Sequence, residues 1–301
     1  MRIVLLCAFS PHRHSQWGFF IGLGETMKTR FPLLNWRQQV ALDVGTSTIR
    51  AASGLRPLIE YCSCLGSKAG VRGGVVVDPA TVAEILRPIL DSTRLFGIVK
   101  PCVLACAPSD ATQEERQRLH DAIMQAGASS VMIIPEPLAA AVGAGIDVSS
   151  PYAQMVVDIG EGVTDCALIK MSRIQTTAAV RVGCGQMRAG LQPALTQQSG
   201  NLHDRHGEVS GHSLPMAIHP ALETITELID DFLQNLSPET GCEVIENGIL
   251  LTGGGALIPG LSRYLEHHSG ISVITAPQPR YNVVEGARAI LPVVVMLNLL
   301  T

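Results

Sequence analysis

Apolar residues follow two rhythms along this chain. Short unbroken runs alternate with stretches in which apolar positions return every three or four residues. The unbroken runs read as strands buried on both faces, and the periodic stretches as helices with one buried stripe. Strands are predicted at Val40–Leu42 running into Asp43, Ile49–Gly54, Pro101–Ala107, Val131–Ile134, Met155–Val157 running into Asp158, a returning run to Ile169, Arg173–Val182, Asn247–Thr252 and Ser272–Thr275. Helices are predicted at Ala80–Leu95, Gln113–Gln125, from Glu136 to Gly143 or Gly145, Gln186–Gln198, Pro220–Leu236, Ile258–His267 and Asn282–Leu291. Between them, Pro57–Arg72 reads as a loose connection and Ser199–His212 as a polar loop.

Local punctuation supports these limits. Asp78 is placed to cap a helix that opens on Pro79, and Thr112 with Glu115 three residues on makes a capping box. Leu222, Ile225, Leu228, Ile229 and Phe232 form the buried stripe of the longest helix. Strand–helix–strand order predicts right-handed crossovers on a mostly parallel sheet. At 301 residues the chain is long enough for two lobes.

Two stretches carry chemistry. Met155-Val-Val-Asp158-Ile-Gly160-Glu161-Gly162-Val-Thr164 is a strand, an aspartate and a glycine turn that returns as a strand; Val40-Ala-Leu-Asp43-Val-Gly45-Thr46-Ser47-Thr48 repeats the pattern. Either alone could be an ordinary hairpin with an Asp–Gly turn. As a pair they suggest two phosphate-gripping jaws of a duplicated fold, because glycines let backbone N–H groups approach phosphate oxygens. Gly253-Gly-Gly255-Ala256, between a buried strand and a helix, removes side-chain bulk where a flat ring could lie. Pro135-Glu136-Pro137 opens a helix, where Glu136 could serve the helix dipole or a reaction.

Composition narrows the class. Apolar residues make up 47% and charged residues 16%, as in a well-buried α/β protein, and a net charge of −4 gives no electrostatic case for nucleic-acid binding. The eight cysteines form no disulfide framework, Cys62-Ser-Cys64 is too tightly spaced for an ordinary zinc knuckle, and a reducing cytoplasm fits best. His203, Asp204, His206 and His212 read as loop residues rather than metal ligands. Met1–Phe9 starts like a signal peptide, but Pro11 to His14 interrupt it and Met27 offers an alternative start. Gln16–Leu23 and Phe31–Trp36 could instead touch a bilayer surface. The tail from Ala289 to Leu300 is too short and Pro-broken to span one, and reads as a buried terminal element.

The motif order resembles the actin, DnaK-chaperone and sugar-kinase ATPase superfamily, and most closely the MreB family of bacterial actins. The likeness rests on Ala107–Arg116, Ile134–Gly145, Met155–Thr164, Val180–Gly183 and Leu250–Leu257. It implies an actin-like (ribonuclease H-like) duplicated α/β fold, two lobes around a nucleotide cleft. The lobes would span residues 37–150 and 151–281, after an extension over 1–36, with 282–301 returning to the first lobe. ATP and Mg²⁺ would sit in the cleft. Asp43 and Asp158 would hold the metal through water. Gly45, Thr46, Ser47, Thr48, Gly160, Glu161, Gly162, Val163 and Thr164 would line the phosphates, and Gly253, Gly254, Gly255 and Ala256 the adenosine. Glu136, Asp158 and Thr164 would be catalytic, Glu136 by orienting the attacking water. The family further implies self-association into filaments, wall-synthesis or scaffold partners, and a cytoplasmic location at the inner face of the membrane.

The chain departs from the family pattern in ways that predict weakened hydrolysis and assembly. Glu161 and Val163 stand in a turn that is otherwise glycine and threonine, and a carboxylate beside a triphosphate costs ~1 kcal/mol or more. Cys184 and Gly185 replace Gly-Asp, and Arg188 takes an acidic position. Most of both small subdomains is missing, between Gly54 and Val75 and between Gln198 and Leu214. The alternatives are a chaperone-like ATPase of the ethanolamine-utilisation J type and a nucleotide-binding scaffold without turnover. A small-molecule kinase lacks a sugar-binding insertion.

Overall fold

The structure, a computed structural model, describes residues 38–198 and 214–297 with one short antiparallel pair, Leu6–Cys7 and Phe19–Phe20. The remaining amino-terminal expectations, and His203, Asp204, His206 and His212, lie outside the described residues. The first sheet consists of β1 (Gln39–Val44), β2 (Thr48–Ala52), β3 (Ile59–Cys62), β4 (Cys102–Ala107) and β5 (Ser130–Pro135), in the order β5-β4-β1-β2-β3. The second consists of β6 (Gln154–Ile159), β7 (Thr164–Lys170), β8 (Arg173–Val180), β9 (Ile249–Thr252) and β10 (Val273–Thr275), in the order β10-β9-β6-β7-β8. In each, the opening strand pairs antiparallel with its hairpin partner and parallel with a later strand reached through helices. The two sheets therefore share one topology, the signature of duplication.

Most of the helices cover the sheets where the sequence periodicity places them. Helices α1 (Pro79–Ser92) and α2 (Gln113–Ala126) bury Leu86, Ile89, Leu90 and Ile123 with Leu42, Ile49 and Val103 of the first sheet. Asp78 accepts from the Ala80 and Thr81 N–H groups, Thr112 and Glu115 cap each other, and α2 ends on left-handed Gly127. On the second sheet, Leu222, Ile225, Ile229 and Phe232 of α5 (His219–Gln234) pack with Met155, Val157 and Leu251, beside α6 (Pro238–Asn247) and α7 (Leu261–Ser269). Helix α4 (Cys184–Gln198) follows β8.

A third core lies between the sheets. There α3 (Glu136–Gly143) crosses α8 (Asn282–Met296), surrounded by Leu104 and Ile134 from one sheet and Val156 and Ile169 from the other. The crossing is tight: a Cβ on Gly286 would collide with the Ala139 carbonyl, and one on Gly143 with that of Asn282. Side chains as small as hydrogen let the two backbones touch, so α3 presents Glu136 at its first position to the space between the sheets.

Several elements differ from the sequence expectation. Within Pro57–Arg72, Ile59-Glu-Tyr-Cys62 adds an edge strand whose side chains are all exposed, so no alternation marks it. Helix α6 has no counterpart among the expected helices, although Ser237 caps it and Pro238 opens it. Helix α7 begins only after Pro259 and Gly260. Helix α8 continues through Pro292 to Met296 because Val294 and Val295 are buried. Among the described residues, no helix is long and apolar enough to cross a membrane.

Candidate functional site

Each aspartate of the two hairpins stands at the carboxyl end of its sheet's central strand. Asp43 faces Arg50 across β1–β2, and Asp158 faces Asp165 across β6–β7. Both line one cleft of about 340 Å³, within the size range of small-molecule sites. Gly45, Thr46, Ser47, Thr48, Glu136, Gly160, Glu161, Gly162, Val163, Gly253 and Gly254 line the same cleft. The two turns touch: a Cβ on Gly162 would lie 2.6 Å from the Thr46 hydroxyl, which itself accepts from Gly74 N–H at 2.7 Å. Gly253 adopts φ +82°, and a side chain there would run into the Asp158 carboxylate.

Three expected residues stand elsewhere. Thr164 is fully buried, and its hydroxyl donates to the Val182 carbonyl at 2.8 Å, so it faces away from the cleft. Gly255 backs onto the Ile159 side chain, and Ala256 belongs to the core of the second lobe. The period of the strand explains Thr164: next to Asp165 and opposite Ile159, its hydroxyl satisfies the Val182 carbonyl just past β8 rather than a ligand.

The site is acidic. Burial first, then the neighbouring carboxylates, pushes Asp158 up to about 8 and Glu136 well above the usual carboxylate range. Asp43 is raised by burial against the opposing pull of Arg50, 3.1 Å away. Asp165, buried behind the hairpin, is held up at about 6 despite accepting from the Ser109 N–H and hydroxyl. Such a group of carboxylates, too dry to hold its charge alone, suits a cation. Among the described residues, no group of three or more His, Cys, Asp or Glu side chains converges to cage a bare ion.

Several cleft residues were not singled out from sequence as cleft-lining. Arg50 also bonds Glu60, whose carboxylate Arg280 shares at 3.1 Å. These residues tie the first hairpin to the segment after β10. Hairpin register alone would have put Arg50 beside Asp43. Arg188 of α4 reaches back to Glu161 through two bonds of 2.7 and 2.9 Å, and Cys184, Leu257, Pro279 and Val283 complete the wall. Away from the cleft floor, Arg181 joins Asp110 at 2.9 Å and Glu115 at 3.4 Å across the lobes.

Duplicate sheets joined through crossed helices, with an acidic hairpin from each turned into one cleft, define a two-lobed actin-like protein. Solved structures share the fold. MreB 5 of Spiroplasma citri bound to AMPPNP matches 88% of this chain and 98% of its own with a TM-score of 0.76 at 23% identity. The MamK double helical filament matches 84% and 98% with a TM-score of 0.70 at 17% identity. A sequence model of MreB/Mbl protein matches residues 67–200 and 201–298, and the chain belongs to that family. The cell shape-determining protein MreB of Escherichia coli K12 is 30% identical over 72% of this chain and 73% of its own length. The family match favours this reading over the ethanolamine-utilisation J type.

Proposed function

We propose that the chain binds ATP with Mg²⁺ in the interlobe cleft and works as an actin-like cytoskeletal protein in cell-shape determination. It assembles with copies of itself at the inner face of the cytoplasmic membrane, where partner proteins of wall synthesis attach. The observation that carries this reading is the pair of aspartate–glycine hairpins lining one cleft. AMPPNP bound to a protein of this fold, and a relative in fold that forms a filament, add support. The lobes are residues 37–150 and 151–281, with 282–301 returning to the first.

The residues present fit the ligand. Thr46, Ser47, Thr48 and Gly162 offer N–H and hydroxyl groups to phosphates. Gly45 and Gly160 keep side-chain bulk out of the turns while their own N–H groups are held by the Thr48 and Val163 carbonyls, and Gly253 and Gly254 leave room for adenosine. Asp43 and Asp158 would hold Mg²⁺, which would supply charge neutralisation for the phosphates. Glu136 positions the attacking water and takes its proton. Val163 lacks a hydroxyl and that of Thr164 is committed to Val182, so Glu136 works without a second polar group from this turn. Turnover is accordingly slow.

For membrane contact, Phe96 and Ile98 project from the loop after α1, 84% and 79% exposed. The test is equilibrium ATP binding and phosphate release for the wild type, Glu136→Ala and the double variant Glu161→Gly/Val163→Thr, with sedimentation of assemblies. The reading expects binding in all three, release abolished by Glu136→Ala and raised in the double variant, and nucleotide-dependent pelleting. No ATP binding by the wild type overturns it. Binding with release insensitive to Glu136→Ala and without pelleting selects the scaffold alternative.

A further inference from the structure

Cys62 and Cys64 have no part in the cleft chemistry, yet they stand directly behind it. Cys62 closes the edge strand β3, and the chain bends at Ser63 before Cys64, bringing the two side chains together. Their sulfurs lie 2.6 Å apart, nearer than unbonded sulfurs rest, and both side chains can be reached from solvent. Ser63 between them is buried. It donates its N–H to the Ser47 carbonyl at 3.0 Å and its hydroxyl to the Gly45 carbonyl at 2.6 Å. Cys62 itself pairs with Thr48. Gly45, Ser47 and Thr48 line the cleft from the other side.

We propose that Cys62 and Cys64 are a thiol-modification site, closed to an intramolecular disulfide by a low-molecular-weight disulfide such as oxidised glutathione, and that closure shifts the Gly45–Thr48 turn. The chemistry is two exchanges. The Cys62 thiolate attacks one sulfur of the reagent, forming a mixed disulfide and releasing one glutathione thiolate. The Cys64 thiolate then attacks the Cys62 sulfur, forming the internal bond and releasing the second. Both thiol protons end on the two glutathiones, and the protein loses two electrons to the reagent. Cys62 is the attacker because it is the more exposed, while the hydrogen bond to Cys62 pushes the Cys64 thiol up and keeps it protonated.

A metal is the poorer occupant, since among the described residues no third His, Cys, Asp or Glu converges on the pair. The coupling follows from chain geometry. A disulfide of about 2.05 Å is shorter than the present 2.6 Å separation of the sulfurs, so the two side chains must close on one another. Closing the ring therefore draws the chain together at Ser63, the residue that holds the turn by two hydrogen bonds. That the shifted turn grips phosphate less well rests on the ATP reading above.

The test uses the full chain equilibrated in reduced and oxidised glutathione, quenched by alkylation and mapped by peptide mass. The expected product is a monomer whose 62–64 peptide has lost two hydrogen atoms. Cys62→Ser and Cys64→Ser should each stop at a glutathione adduct or a free thiol. Amide exchange at Gly45–Thr48 should rise about fivefold or more on oxidation of the wild type, and remain unchanged in the double serine variant. A wild type that stays dithiol, stops at the adduct or links two chains overturns the site. A disulfide that leaves the 45–48 amides unchanged overturns the coupling. MgATP titration of both redox forms should show weaker binding when oxidised. If the reduced protein fails to bind ATP, the ATP reading fails, and peptide mass with amide exchange still decides the thiol site.

Discussion

Arg188 holds the carboxylate of Glu161 with both arms of its guanidinium, Nη1 to Oε1 at 2.7 Å and Nη2 to Oε2 at 2.9 Å. The glutamate that departs from the family's glycine turn is thus matched by the arginine that departs from an acidic position on α4. A lone carboxylate beside a polyphosphate would repel it; a bidentate pair presents almost no net charge. Arg188→Ala should therefore weaken MgATP binding about tenfold, about 1.4 kcal/mol. Its side chain is 63% exposed, so thermal stability should barely move. Adding Glu161→Gly should restore most of the affinity. Titration calorimetry of the single and double variants checks this, and additive losses would refute the pairing.

The crossing of α3 and α8 holds the lobes together and sets the position of Glu136. At Gly286 even a methyl group meets the Ala139 carbonyl, with Gly143 packed beside it. Gly286→Ala should destabilise the protein by about 3 kcal/mol, the upper range of overpacking costs, because two helix backbones must separate. Gly241→Ala, in α6 where a Cβ meets nothing, should be neutral or slightly stabilising. Urea denaturation of the two variants makes the comparison.

How much of this was legible in the sequence depended on which interactions were local. The capping of α1 and α2, the two hairpins and the stripe of α5 are set by residues within a few positions of one another, and all were readable. Strand β3 was not, because an exposed edge strand carries no hydrophobic alternation. The cleft residues on glycine turns could be listed from the motifs. The orientation of Thr164 could not, since its partner Val182 is eighteen residues away across the β7–β8 hairpin. Arg188 and Glu161, twenty-seven residues apart, likewise looked like separate departures until the fold brought α4 back over the turn.

Acid should stabilise the ligand-free protein. Asp158 at about 8 and Asp165 at about 6 both sit above the range of an ordinary aspartate, chiefly through burial. A raised carboxylate binds its proton more tightly when folded than when unfolded, so stability falls as pH rises from about 4 to about 8. This is the reverse of a salt-bridged aspartate. Mg²⁺ in the cleft would favour the charged carboxylates, so the rise in melting temperature on adding Mg²⁺ should grow with pH across that window. Melting curves with and without Mg²⁺ test both trends. A pH-independent curve would mean that the carboxylates are solvated rather than buried together.

The loop after α1 should mark the face that meets the membrane. Leu95 and Val99 close a tight turn, and Gly97 at φ +71° lets it reverse with Phe96 and Ile98 at its tip. Phe96 itself sits at φ +53°, a conformation a bulky residue adopts only against a cost of about 1 kcal/mol. Water gives no return for exposing two large apolar side chains in this way; a bilayer interface does. Lys100 follows the loop, and Arg56 is tied to its base through the Ser92 carbonyl at 3.3 Å, next to fully exposed Leu55. Phe96→Ser/Ile98→Ser should lower binding to anionic vesicles about tenfold or more while leaving the melting temperature and ATP binding in place. The same loss on neutral vesicles would assign the contact to apolar insertion, and a smaller one would assign part of it to the basic residues. Unchanged vesicle binding would move the membrane contact off this loop.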